Sequence, residues 1–170
     1  NISVTCLAPT KTFNLAGLQT AAVYAENKVL HHKMWRRLNT DEVAEPNAFA
    51  VCATVAAFTY GEEWLDQLRQ YIEGNKQYVT EYIAREIPQI KVVKSEATYL
   101  MWLDISALTT DSDAMYEFIR KDSGLYLASG REYGTNGDGF LRLNVATNRA
   151  NVEDGMHRLK KSVEDFVRQR

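Results

Sequence analysis

The stretch Ala8-Pro9-Thr10-Lys11-Thr12-Phe13-Asn14-Leu15-Ala16-Gly17-Leu18-Gln19 sits between two short apolar runs. Residues 2–7 read as a buried strand that Pro9 ends, and residues 20–25 are a second apolar run of strand length. Lys11 therefore falls in a turn between two strands, with hydroxyls on either side. Most lysines are solvated surface residues, but loops held by a rigid scaffold are where functional groups concentrate. A lysine that acts as a nucleophile must lose a proton from an amine of ordinary pKa about 10.4. Joining the amine to a carbonyl as an imine meets that need, because the imine nitrogen is far less basic.

Beyond this turn the spacing predicts a helix over residues 26–38, then a polar linker over 39–45. Pro46 suits the first turn of a helix, where its missing N–H costs nothing. Phe49, Cys52, Ala53, Ala56 and Ala57 form an apolar stripe that stops at Gly61. The strongest periodicity follows, through Trp64/Leu65, Leu68, Tyr71/Ile72, Tyr78/Val79, Tyr82/Ile83 and Ile87, with Pro88 past its end. Gly74-Asn75 interrupts it and predicts a bend, a natural place for one domain to hand over to the next.

After Pro88 the pattern becomes strand, strand, helix, strand, strand, helix. Residues 90–93 and 98–104 read as strands, and 111–121 as an amphipathic helix through Met115, Phe118 and Ile119. Residues 125–128 form a short strand, 129–139 a glycine-rich loop and 140–145 the last strand. A helix over 151–167 closes the chain, with Val152, Met156, Leu159, Val163 and Phe166 at steps of four and three. Strands alternating with helices indicate an α/β or α+β layer structure.

Composition narrows the function classes. The chain has 170 residues, 45% apolar and 25% charged, as soluble globular proteins do. A net charge of -2 gives no attraction for nucleic acid or an anionic membrane, so neither is expected as a partner. No apolar run approaches the roughly 18 residues of a membrane span, and no signal peptide is recognisable. Cys6 and Cys52, both in apolar sequence, read as reduced core residues of a cytoplasmic protein. A strand-like opening at Asn1-Ile2-Ser3-Val4 without an initiator Met reads as the middle of a fold, and a fragment is expected.

Several ordered motifs carry a resemblance. Thr10-Lys11-Thr12-Phe13-Asn14 followed by Ala16-Gly17-Leu18 is similar to the cofactor-lysine segment of the MalY/PatB-type cystathionine β-lyase branch of the class I/II aminotransferases. Pro46-Asn47-Ala48-Phe49, Ala56-Ala57-Phe58 and Gly61-Glu62-Glu63-Trp64-Leu65 resemble the helix pair that follows. Ala97 through Asp104 resembles a small-domain strand. Gly130-Arg131-Glu132-Tyr133-Gly134 with Gly139-Phe140-Leu141-Arg142-Leu143-Asn144 resembles the substrate-carboxylate region.

The resemblance covers nearly the whole chain and implies an α/β fold, the C-terminal part of a fold-type-I (aspartate-aminotransferase-like) enzyme dependent on pyridoxal 5′-phosphate. It implies a remnant of the large cofactor-domain sheet over residues 1–70, with the cofactor lysine, and an α+β small domain over 71–170. Lys11 would carry the cofactor and then act as base on the substrate Cα proton, and Thr10 would offer its hydroxyl to the cofactor phosphate. Arg142 would grip the α-carboxylate of a small amino-acid substrate, and its place within an apolar strand supports that, since an unpaired charge there is costly. Tyr99 and Tyr133 are candidates for the substrate pocket, with packing roles equally compatible.

The activity implied for the full-length enzyme, a homodimer, is α,β-elimination to pyruvate, ammonia and a thiol. A class I/II aminotransferase is the alternative, and no residue separates the two. A non-catalytic binding or regulatory module is a third reading, of another class. The groups that bind the cofactor ring lie before the lysine in this family, so the 170-residue chain alone is expected neither to hold the cofactor tightly nor to turn over.

Three positions depart from the wider pattern. Ala8 and Gln19 stand where relatives often have a phosphate-binding serine and arginine, so phosphate binding would lean on groups upstream or on a partner subunit. Ser129-Gly130 replaces a common Pro-Gly, which removes one source of rigidity from the carboxylate loop. Other candidates carry less. Adjacent His31 and His32 point about 100° apart on a helix and cannot share a metal, so no metal site is expected. The Gly134 to Gly139 run leads into a strand, which lacks the helix N-terminus of an anion site.

Overall fold

The computed structural model describes residues 2–169. Contacts group them into two units, residues 2–69 and 70–169. In the first, β1 (Thr5–Leu7) pairs antiparallel with β2 (Ala22–Tyr24), Leu7 facing Ala22. Helix α1 (Lys28–Thr40) starts where the Asn27 side chain accepts hydrogen bonds from the Val29 and Leu30 amides, satisfying donors that the helix cannot. Helix α2 spans Ala50–Tyr60, and α3 (Glu62–Glu86) runs across the division into the second unit.

Four expectations fail in this first unit or at its edge. The β1 strand is exposed, and so are Cys6 and Cys52, which are free thiols at the surface of this chain. Among the described residues of this unit the buried apolar side chains are Pro9, Ala25 and Ala50, while Phe49, Cys52 and Ala56 of the expected stripe are exposed. Ala53 and Ala57 of the same stripe are half-buried, so the stripe is covered only in part. Pro46 does not open α2. The Asn47 carboxamide accepts from the Phe49 amide at 3.0 Å, an Asx-type turn that postpones the helix to Ala50.

The fourth concerns Gly74-Asn75, through which α3 continues without a break. Asn75 is fully buried and its amide group donates to the carbonyls of Val145 and Thr147, at 3.0 and 2.9 Å. Those long-range bonds give a poor helix former a reason to sit mid-helix.

The second unit holds a four-stranded antiparallel sheet in the order β3 (Lys91–Val92), β4 (Leu100–Asp104), β6 (Phe140–Asn144), β5 (Ala128–Ser129). Successive strand residues face opposite sides. Met101, Leu103, Leu141 and Leu143 are buried, whereas Trp102, Phe140 and Arg142 are only partly so. The buried face packs with α4 (Ser112–Ser123) and α5 (Arg149–Arg168), capped by the Asp111 and Asn148 side chains. Gly124 closes α4 at φ 71°, a left-handed conformation that glycine adopts without Cβ strain.

Met115 and Ile119 of α4, Met156, Leu159 and Val163 of α5 and Val79 and Ile83 of α3 complete this core. Where the end of α3 meets α5, Lys160 bonds Glu86 at 2.8 Å, and Arg85 bonds it at 2.7 Å. These hydrogen bonds, Lys160 first, hold the Glu86 carboxyl down to about 2. Leu159 is wholly buried. Leu159→Ala is expected to destabilise this unit by about 2–5 kcal/mol through lost transfer energy and a residual cavity. Urea unfolding followed by circular dichroism measures it, and an unchanged midpoint would mean that the core repacks fully.

Candidate active site

The sequence-derived site residues fall in both units, and each group has its own geometry. In the first unit the chain leaves β1 and folds tightly around Lys11. The Phe13 amide donates to the Pro9 carbonyl at 2.9 Å, and the Leu15 amide to the Thr10 carbonyl at 3.1 Å. Pro9 is buried and the Phe13 ring packs edge-on against Phe58, at 5.3 Å, and against Trp64 at 6.2 Å. Asn14, at φ 54°, supplies the left-handed residue that lets the chain turn after Phe13. Gly61 completes the fit, because a Cβ there would lie 2.6 Å from the Phe13 ring.

Lys11 is carried at the outside of this pinned turn, exposed and without an ion pair among the described residues. Thr10 beside it is half-buried, and its side chain has no hydrogen bond among the described residues. An amine and a hydroxyl on a backbone fixed by two hydrogen bonds and an aromatic anchor are available for a ligand. They suit a cofactor that needs one lysine amine and one phosphate donor from this turn.

In the second unit Arg142 lies at the centre of β6, opposite Trp102 on one side and Ala128 on the other. It shares the face away from the core with Phe140. The guanidinium carbon sits 4.5 Å from the Tyr133 ring centroid. The Trp102 ring meets Tyr133 edge-on at 5.5 Å and Phe140 at 6.1 Å. Among the described residues Arg142 has no ion pair. Arg131, nearby in sequence, differs: it bonds Asp113 at 3.4 Å and Asp138 at 2.9 Å and so is already neutralised. Arg142 is thus a half-buried cation held by a ring and open to an anion, a chemistry that fits a carboxylate.

The loop from Gly130 to Gly139 forms two short 3-10 turns, Gly130–Tyr133 and Thr135–Gly137. Its missing proline is compensated. The Ser129 hydroxyl bonds the Asp113 carboxylate and accepts from the Arg131 amide. That hydroxyl first, against partial burial, and then Arg131 hold Asp113 below the usual carboxylate range. The buried Ser112 hydroxyl donates to the Gly137 carbonyl and accepts from the Phe140 amide, both at 3.1 Å. Gly130 and Gly137 meet so closely that a Cβ on either would strike the other's backbone.

Tyr133 therefore joins Arg142, whereas Tyr99 packs against the core cluster and its carbonyl accepts from the Val145 amide at 3.0 Å. Sequence reasoning missed Ser112, Ser129 and Asp113. Ser112 left a signal: it occupies the apolar stripe of α4, three residues before Met115, where a serine needs a buried partner. No group of three or more His, Cys, Asp or Glu side chains among the described residues is placed to hold a metal. No helix among them is long and apolar enough to cross a membrane.

The chain belongs to the aminotransferase class I and II family, whose model matches residues 3–159. It is 39% identical over 160 residues to cystathionine beta-lyase PatB of Bacillus subtilis, covering 94% of this chain and 41% of that protein. Protein MalY of Escherichia coli is 31% identical, covering 86% of this chain and 38% of that protein. Among solved structures, cystalysin from Treponema denticola, which contains pyridoxal 5′-phosphate, matches with TM-score 0.90 at 28% identity, over 96% of this chain and 41% of that one. A pyridoxal-phosphate-bound C-S lyase from Staphylococcus hominis matches with TM-score 0.81, at 28% identity, over 94% of this chain and 42% of that one. The chain spans about two fifths of the length of these relatives, and its mixed helix and strand fold is part of theirs.

Proposed function

We propose that this chain is the C-terminal part of a carbon–sulfur lyase dependent on pyridoxal 5′-phosphate. Residues 1–70 would belong to the large cofactor domain and 71–170 to the small domain, in a cytoplasmic homodimer acting on a small sulfur amino acid. The observation that carries the reading is two cations on fixed backbones, each without an ion pair among the described residues, Lys11 in its pinned turn and Arg142 over Tyr133. The likeness at 39% identity to a cystathionine β-lyase favours elimination over amino transfer, since an aspartate aminotransferase of Pyrococcus horikoshii is only 22% identical.

Each residue has a defined task. Arg142 binds the substrate α-carboxylate by paired hydrogen bonds, and Thr10 donates to the cofactor phosphate. When bound, the cofactor supplies a conjugated ring that accepts the electron pair left at Cα. Lys11 Nζ holds the cofactor before substrate arrives and afterwards takes the proton from substrate Cα. Departure of the β-thiolate, with water, then gives pyruvate, ammonia and a thiol.

Full-length protein given L-cystathionine is expected to release equal amounts of pyruvate and homocysteine without any added keto acid. No thiol, together with amino transfer that depends on an added keto acid, would replace the lyase with the aminotransferase.

A further inference from the structure

We propose that Tyr133 is a positioning residue for the carboxylate clamp, holding the Arg142 guanidinium through its ring rather than touching substrate. The proposal rests on the reading of Arg142 as the carboxylate-binding residue. A guanidinium on a four-bond stem needs something to fix it, and arginines are commonly fixed by an acid. Here an acid would occupy the N–H groups that the substrate must use. Arg131 illustrates this outcome, being tied to Asp113 and Asp138. A ring attracts the cation through its π face and leaves the N–H edge free. With its carbon 4.5 Å from the ring centroid and no ion pair among the described residues, Arg142 has that arrangement.

The ring and the loop that bears it are constrained by three features. Trp102 meets it edge-on at 5.5 Å, on the strand residue directly opposite Arg142. Behind it, the Ser112 hydroxyl links Gly137 to Phe140, so the loop bearing Tyr133 is tied to the start of the strand bearing Arg142. After it, Gly134 turns the chain at φ 122°, which an L side chain rarely adopts. Ring and guanidinium thus already stand 4.5 Å apart without a ligand. The role needs an aromatic face and has no use for the phenol hydroxyl.

The test uses full-length protein loaded with cofactor and two ligands that differ only by a carboxylate, L-alanine and ethylamine, titrated by calorimetry. Tyr133→Leu is expected to weaken L-alanine about five- to thirtyfold. Tyr133→Phe restores most of that affinity, and ethylamine binding stays the same in both variants. Tyr133 is 45% exposed, so neither change opens the core, and an unchanged melting temperature verifies folding. Unchanged L-alanine affinity in Tyr133→Leu, equal loss for ethylamine, or no rescue by Phe overturns the proposal. Arg142→Ala run in parallel separates the two ideas. No effect there sinks the clamp itself, whereas a large effect there with none for Tyr133→Leu sinks only the positioning role.

Discussion

Lys11→Ala in the full-length protein is expected to lower kcat for elimination at least about 10³-fold. Removal of a positioned base alone accounts for about 10² to 10⁴, and loss of the covalent anchor for the cofactor adds to it. Folding should be untouched. Lys11 is exposed, and the turn around it is held by Phe13, Pro9 and backbone hydrogen bonds that the substitution leaves in place. A surface change of this kind stays within about 0.5 kcal/mol of wild-type stability. A second measurement does not depend on turnover. Borohydride should fix the cofactor permanently to the wild-type protein, and mass spectrometry of a digest should find it on the peptide containing Lys11. Activity within tenfold of wild type, or a label on another lysine, removes Lys11 from its role.

The sequence made some features of this fold legible and concealed others for physical reasons. The second unit was readable because its packing is internal. Strand alternation in residues 100–104 and 140–144, and the steps of four and three along α5, describe faces that meet each other. The helix starts were less so: the spacing begins these helices at 111 and 151, whereas Asp111 and Asn148 lie outside them as caps that bond their amides. Residues 50–60 show the limit. Their apolar character was plain, and they do form a helix, but periodicity does not say which segment covers an apolar face. Phe49, Cys52 and Ala56 of the apolar stripe are consequently exposed, Cys52 where a core residue was expected.

The candidate site divides along the same line. Lys11, Thr10 and Arg142 were legible through their neighbours in sequence, since an ordered motif surrounds each. Tyr133 and Tyr99 were indistinguishable in sequence, being aromatic residues near strands. Only tertiary contact separates them, the first onto Arg142 and the second into the core. The hydroxyls of Ser112 and Ser129 were harder still, because their partners Gly137 and Asp113 lie 25 and 16 residues away. The missing Pro-Gly pointed to a looser loop, yet rigidity returned through polar side chains and two touching glycines.

The second large effect belongs to Arg142. Truncating one partner of a buried, hydrogen-bonded charge pair costs about 2–5 kcal/mol, so Arg142→Ala is expected to lower kcat/KM by at least about thirtyfold. Most of that should appear in KM if the clamp binds ground and transition states alike. Arg142→Lys keeps the charge and loses the fork, because an ammonium cannot form two parallel bonds to one carboxylate. It also exchanges a flat cation over the Tyr133 ring, now 4.5 Å from its centroid, for a smaller and more strongly hydrated one. Lysine should therefore recover only part of the loss, and it should place the substrate less precisely, so that kcat falls as well as KM rising. Neither change should lower stability much. Arg142 has no ion pair to break among the described residues, and removing a half-buried cation relieves a desolvation cost. Steady-state kinetics on L-cystathionine with thermal melts of the same samples give both quantities. A kcat/KM within threefold of wild type for Arg142→Ala, in protein that melts normally, would move carboxylate recognition to another residue and leave Arg142 a packing cation over an aromatic surface.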